Sequence, residues 1–409
     1  MQKILLIDDD PFALKLLARQ LTLEGCDAVT LCEQAQQALD SLETHRESID
    51  LVFCDLQMPD IDGVEFVRHL ARIGYLGSLV LVSGEDGRVL QTVQRLAQAH
   101  QVHMLGVLSK PVVPEALHQL LALHASRRIA PPSEPRRQFR PEELRDAIAG
   151  GQLVTHYQPK IELSTGQAIG VEALVRWQHP QAGLVAPDRF IGIAEEHGLI
   201  DALTHQVLAS ALAQTRLWQD QGLDLHLAVN VSMDNLAALN FPDEVARLVH
   251  ETGVLPTSLT LEVTESRLMK DIRAPLDILS RLRLKRIRLS IDDFGTGHSS
   301  LAQLRDIPFD ELKLDRSFVN GASKDAALRA IAQSTLAMAR QLGMQSVGEG
   351  VEDLSDWDFL SAMGCDVAQG YFVARPMPGA ALAGWAKQWE PRGAELAARP
   401  RPREAPGLS

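Results

Sequence analysis

Leu259-Thr-Leu-Glu-Val-Thr-Glu265 (LTLEVTE) decides the fold of the larger part of this 409-residue chain. Thr260, Glu262 and Thr264 alternate with Leu259, Leu261 and Val263, so a strand here turns polar groups to one face and apolar groups to the other. Apolar runs closed by polar residues recur at His226–Val231 (HLAVNV), Ile287–Asp293 (IRLSIDD), Glu311–Asp315 (ELKLD) and Gln345–Glu349 (QSVGE). A helical pattern follows each, such as Ala326–Leu342. Asn230 to Glu262 spans 32 residues and Glu262 to Asp292 spans 30, about one strand-helix unit each. Residues 141–389 therefore predict a (β/α)8 TIM-like barrel, with the polar strand ends gathered at its C-terminal mouth.

Working outward, residues 1–125 hold a second α/β series, with strands expected at Ile4–Ile7, Ala28–Leu31, Leu51–Cys54, Leu79–Val82 and Met104–Leu108. Asp10 is placed to cap a helix that starts at Pro11, with Leu14, Leu17, Ala18 and Leu21 on one face and Gly25 as its stop. Five alternations predict a doubly wound parallel sheet. Residues 126–140 (SRRIAPPSEPRRQFR), with three prolines and five arginines, read as a linker, and residues 390–409 as a disordered tail.

Lys and Arg total 40 against 53 Asp and Glu, a net charge of −13, which argues against a chain-wide binder of DNA or RNA. Cys26, Cys32, Cys54 and Cys365 form no CxxC pair, so neither a disulfide framework nor a cysteine zinc site is expected. No apolar run is long enough for a signal peptide or a membrane span, and a cytoplasmic protein without membrane insertion is the expectation.

In the N-terminal sheet the first strand ends in Asp8 and Asp9 and the third in Asp55, so three carboxylates converge on one crevice and call for a hard cation such as Mg²⁺. Ser83 and Lys110 follow the fourth and fifth strands. The pieces IDDD (7–10), CDLQMPDIDG (54–63), LVSG (81–84) and LSKP (108–111) resemble the receiver domain of two-component response regulators. That resemblance implies Asp55 as phosphoacceptor, Mg²⁺ held by Asp8, Asp9 and Asp55, phosphoryl sensing by Ser83 and Lys110, and a sensor histidine kinase as partner. Val107 departs from the pattern, which carries an aromatic residue three positions before the lysine.

At the barrel mouth, carboxylates and one amide with no cysteine suit Mg²⁺ or Mn²⁺, and adjacent Asp292 and Asp293 are placed to bridge two ions. Lys313 is the lone ammonium, there to position or deprotonate a water or to neutralise a neighbour. YQPK (157–160), EALVRW (172–177), NVS (230–232), EVTES (262–266), DDFGTGHSSL (292–301), KLDRSFV (313–319), EGVE (349–352) and AQGYFVARPM (368–377) are similar to the EAL-domain cyclic di-GMP phosphodiesterases.

The resemblance implies metal binding by Glu172, Asn230, Glu262, Asp292, Asp293 and Glu349, with Lys313, Glu172 and Glu349 in catalysis. Gln158, Arg176 and Gln369 would contact substrate, while Glu265 and Glu352 would hold the loop after Asp293. The implied reaction is hydrolysis of cyclic di-GMP to 5′-pGpG under phosphorylation control, in a homo-oligomer built through the barrel. The alternative is a catalytically inactive cyclic di-GMP receptor that signals through protein partners; a full ligand set favours the enzyme. His298 and Gly348 depart from the family pattern without removing a ligand, and Asp293-Phe294-Gly295 lacks the companion motifs of a kinase.

Overall fold

The computed structural model describes residues 3–44, 49–59, 61–84, 90, 92–94, 96–97, 100, 102–129, 137, 139–264, 273–295 and 307–399. The chain divides into two units, Met1–Arg137 and Gln138–Ser409.

In the first unit β1 (Lys3–Ile7), β2 (Ala28–Cys32), β3 (Leu51–Asp55), β4 (Ser78–Ser83) and β5 (Met104–Ser109) form a parallel sheet in the order β2-β1-β3-β4-β5. Both faces are buried. Leu5, Ile7, Val52 and Leu81 enter one core, while Ile4, Leu6, Phe53 and Val80 enter the other. Because β1 lies between β2 and β3, the strand order reverses there, and the crevice at the C-terminal ends of β1 and β3 is the expected ligand position for such a sheet. Asp10 caps the helix Pro11–Leu23 by accepting from the Phe12 amide at 2.8 Å. The last helix of this unit, Pro114–Ile129, runs past residue 126, so the expected linker begins later than its composition indicated.

In the second unit eight strands close a barrel: β6 (Leu153–Glu162), β7 (Ala168–His179), β9 (His226–Val231), β10 (Leu259–Thr264), β11 (Arg288–Phe294), β12 (Glu311–Leu314), β13 (Gln345–Gly348) and β14 (Val367–Ala368). The short strands β8 (Gly183–Val185) and β15 (Met377–Pro378) extend its edges. The alternation in LTLEVTE holds: Leu259, Leu261 and Val263 join the core under the helices. One feature departs from a fully parallel barrel, since β6 runs antiparallel to both β7 and β14.

A second correction concerns the tail. The helix Gly379–Ala397 carries the chain well past residue 390, with Pro391 inside it. A proline within a helix costs about 3 kcal/mol, and tertiary packing offsets it here. Trp389 is buried and its Nε1 donates to the Gly166 carbonyl at 2.9 Å, while the Arg392 guanidinium lies 4.6 Å from the Phe372 ring centre. All four cysteines are buried free thiols. Among the described residues no helix is long and apolar enough to cross a membrane.

Candidate functional site

Strand register assembles the barrel mouth. Gln158 on β6 pairs with Glu172 on β7, Asn230 on β9 with Glu262 on β10, and Thr264 with Asp292 on β11. Lys313 stands on β12, and Glu349 and Gln369 immediately follow β13 and β14. Adjacent strand residues ordinarily point to opposite faces. A register shift in β11 between Ile291 and Phe294, with Asp293 at a left-handed φ of 55°, lets Asp292 and Asp293 share the mouth. One carboxylate oxygen from each of Asp292, Asp293 and Glu349 lies within 4.8 Å of the others.

Lys313 is fully enclosed by acids. Its Nζ stands 2.6 Å from Glu349 Oε1, 2.8 Å from Glu262 Oε2, 3.2 Å from Asp292 Oδ1 and 3.8 Å from Glu172 Oε2. Burial alone would lower its pKa, but the surrounding carboxylates overcome that and hold the ammonium charged.

The carboxylates respond to their surroundings in different directions. Burial pushes Glu349 up to about 8 despite Lys313 beside it. Burial, then Asp292, pushes Asp293 up to about 6, and burial also raises Glu172. For Glu262 burial again opposes ionisation, yet Lys160 and Lys313 outweigh it and hold the carboxyl at about 2. Two ammoniums, one of them shared with Glu311, cannot balance this ring of acids. The all-oxygen donor set and its excess negative charge fit a divalent ion of the Mg²⁺ or Mn²⁺ type.

Two glutamines brace the ring. Gln369 Nε2 donates to Glu172 Oε2 at 2.5 Å and to Gln158 Oε1 at 3.2 Å, and Gln158 Nε2 donates to the Ala374 carbonyl at 3.0 Å. Gln369 Oε1 is buried without a protein partner, so it is a polar atom left for a ligand. Arg176 is half-buried and donates to the Val175 carbonyl at 2.8 Å; burial lowers its pKa, and Tyr371, Glu172 and Asp188 act on its charge. Above the ring opens a cavity of about 510 Å³ lined by Gln158, Glu172, Asp293, Glu349, Gln369 and Tyr371, together with Asp315, Arg316 and Glu352. Trp177 instead lies in the core, 4.8 Å from the Phe139 ring, with Nε1 on Gln152. Glu265 and the loop segment containing His298 lie outside the described residues.

Residues of this site without a role in the sequence reading include Lys160, Glu311, Arg316 and Tyr371. Lys160 is the most consequential, since its Nζ holds Glu262 at 2.7 Å and Glu311 at 2.9 Å. Its alternation with Gln158 in YQPKIE was the available sign that it faces inward. Glu311 carried the same sign, two residues before Lys313 in ELKLD, while Tyr371 at the rim had none.

In the first unit, carboxylate oxygens of Asp8, Asp9 and Asp55 lie within 4.8 Å of one another. Lys110 Nζ is 2.7 Å from Asp8 Oδ2 and 3.0 Å from Asp55 Oδ2. Burial raises the Asp55 pKa against the pull of Lys110. Ser83 is buried at the end of β4, where its carbonyl accepts from the Lys110 amide at 2.9 Å. Val107, half-buried, packs against the core on one sheet face. The sequence-predicted receiver residues thus converge at the strand-order reversal.

Comparison with known proteins finds a family match for each of the two units. The model of the EAL domain matches residues 141–376, and that of the response regulator receiver domain matches residues 4–122. The cyclic di-GMP phosphodiesterase RocR of Pseudomonas aeruginosa is 34% identical over 388 residues, which cover 92% of this chain and 96% of that protein. The cyclic di-GMP phosphodiesterase NbdA of the same organism is 46% identical over 242 residues, 59% of this chain and 31% of that longer protein. Among solved structures, the PaMucR phosphodiesterase in complex with c-di-GMP is 44% identical with a TM-score of 0.57, covering 59% of this chain and 98% of that one.

Proposed function

Because the chain belongs to the EAL domain family and carries a response regulator receiver domain ahead of its barrel, we propose that it is a cyclic di-GMP phosphodiesterase whose hydrolysis is controlled by phosphorylation of Asp55. The observation that carries this reading is the ring of Glu172, Glu262, Asp292, Asp293 and Glu349 around Lys313. Family membership supports the reaction class, and intact ligand positions favour turnover over a receptor role.

Glu172, Asn230, Glu262, Asp292, Asp293 and Glu349 would hold two divalent ions, Mg²⁺ or Mn²⁺. When bound, such ions lower the pKa of water and withdraw charge from a phosphodiester. The chain supplies placement. Gln158, Gln369 and Arg176 bind the dinucleotide over the mouth, and the buried glutamine pair keeps Glu172 in one orientation. Lys313, held as an ammonium, donates hydrogen bonds within the ring and offsets charge on the phosphoryl oxygens. Glu172 and Glu349 approach it from two different strands, and with it they fix where the attacking water stands. Water oxygen adds to phosphorus as the P–O3′ bond breaks, one proton of that water ends on the released 3′ oxygen, and linear 5′-pGpG leaves. Glu352, at the cavity rim, supports the loop after Asp293 together with Glu265.

In the receiver, Asp8, Asp9 and Asp55 would hold Mg²⁺, Asp55 would accept the phosphoryl group from a sensor histidine kinase, and Ser83 and Lys110 would read its presence. A cytoplasmic homo-oligomer joined through the barrel completes the reading. The test is hydrolysis of cyclic di-GMP by the purified chain with Mg²⁺ or Mn²⁺, with and without acetyl phosphate. Linear product whose rate changes on phosphorylation is expected. Folded, metal-loaded protein that binds the dinucleotide without releasing product would leave the receptor reading, and an unchanged rate would remove the phosphorylation control.

A further inference from the structure

We propose that Lys160, anchored by Glu311, is a positioning residue that fixes Glu262 from beneath the carboxylate ring without touching substrate; only its turnover readout rests on the phosphodiesterase reading. Lys160 Nζ lies 2.7 Å from Glu262 Oε1 and 2.9 Å from Glu311 Oε1, while Lys313 Nζ takes the other oxygen, Glu262 Oε2, at 2.8 Å. Charges of alternating sign, Glu311, Lys160, Glu262 and Lys313, are thus joined in one chain through the barrel interior. None exceeds 5% exposure.

The fold builds this chain on purpose-fitted ground. Glu311 and Lys313 are two apart on β12 and share its inward face, and Lys160 pairs in register with Gly170 on β7, whose missing side chain admits the close approach of the His226 carbonyl at the start of β9. Lys160 and Glu311 line a separate cavity of about 240 Å³ with His226 and Arg288, which stand at the starts of β9 and β11, the end of the barrel away from the mouth. Neither lines the mouth cavity. The direct contact of Lys160 with the carboxylate ring is through Glu262. A carboxylate with each oxygen on an ammonium from a different strand has no free rotation left; with Lys313 alone it regains one.

A purely structural role, in which Lys160 only neutralises a buried Glu311, predicts something different. Breaking a buried pair by removing one partner is strongly destabilising, whereas replacing both partners by apolar residues is often neutral. The experiment compares full-length wild type, Lys160→Met and Lys160→Met/Glu311→Met by thermal denaturation, by Mn²⁺ titration followed by electron paramagnetic resonance, and by steady-state hydrolysis. The single variant should lose stability and the double variant should regain it. Mn²⁺ affinity of the double variant should nevertheless stay about 10- to 100-fold below wild type, as for other residues that orient metal ligands, with kcat down similarly and KM within about threefold. A stable double variant with Mn²⁺ affinity within about threefold of wild type would overturn the proposal. The Lys160→Gln/Glu311→Gln pair, polar and close in volume, carries the same two outcomes should the apolar pair not fold. Mn²⁺ binding needs no turnover, so it separates failure of this inference from failure of the proposed activity.

Discussion

Asn230 Nδ2 donates a 2.6 Å hydrogen bond to Glu172 Oε1, so that the β9 amide holds the β7 carboxylate. Gln369 holds the other oxygen of Glu172. Glu172 is thus the most braced acid on its side of the ring, and Glu172→Ala is expected to abolish hydrolysis while leaving the far-ultraviolet circular dichroism spectrum unchanged. Wild-type turnover in that variant, measured by chromatography of 5′-pGpG, would refute its assignment.

A pH dependence follows from Glu349 at about 8 and Asp293 at about 6. Both folded values lie above the ordinary carboxylate range, so each group favours the metal-free fold below its unfolded pKa, and that contribution is lost as pH rises through the folded value. Metal-free protein should therefore lose thermal stability from about pH 4 to about pH 8, the Asp293 contribution being gone by about pH 6 and the rest of the loss coming from Glu349. Metal ions compete with those protons, so added Mn²⁺ should raise Tm more at pH 8 than at pH 6, with proton release detectable by calorimetry in buffers of different ionisation enthalpy. An equal rise at both values would show that these carboxyls do not bind the metal.

Gly348 is explained by Leu360. A Cβ on Gly348 would collide with the Leu360 side chain, which is fully buried. Gly348→Val should destabilise the barrel by about 1–3 kcal/mol through overpacking, read by urea denaturation. Gly348→Val combined with Leu360→Ala should cost less than the sum of the two single changes; strict additivity would mean that they do not share the space.

In the receiver, acetyl phosphate should label wild-type protein and fail to label Asp55→Asn. Lys110 bonds both Asp8 and Asp55, so Lys110→Ala should still be labelled but should lose the effect of phosphorylation on hydrolysis. Labelling that persists in Asp55→Asn would place the phosphoacceptor elsewhere.

Residues whose role depends on strand alternation were readable from the chain itself. Glu262 and Asn230 sit where the period of two in LTLEVTE and HLAVNV puts them. Asp293 was readable as a mouth residue only by its company, since the bulge that re-aims it depends on pairing with β12. The direction of β6 had no local sign, because its partners β7 and β14 are fixed by barrel closure. Lys160 was hidden for a related reason: Glu262 and Glu311 reach it from strands more than a hundred residues away. The helix beyond residue 390 was obscured by a composition rich in proline, arginine and alanine, which Trp389 packing overrides.

The reversal of β6 also decides how the barrel is tethered. Leu153, its first residue, pairs with Trp177 near the end of β7, so the incoming chain enters the barrel at the rim and descends toward the base. An all-parallel barrel is entered from below, with a whole strand between the tether and the chemistry. Here the covalent route from the receiver segment passes one helix, Pro141–Ala149, and then reaches Gln158 before Lys160. The first barrel strand thus begins at the working face and carries its substrate-facing residue, Gln158, ahead of the lysine beneath the ring.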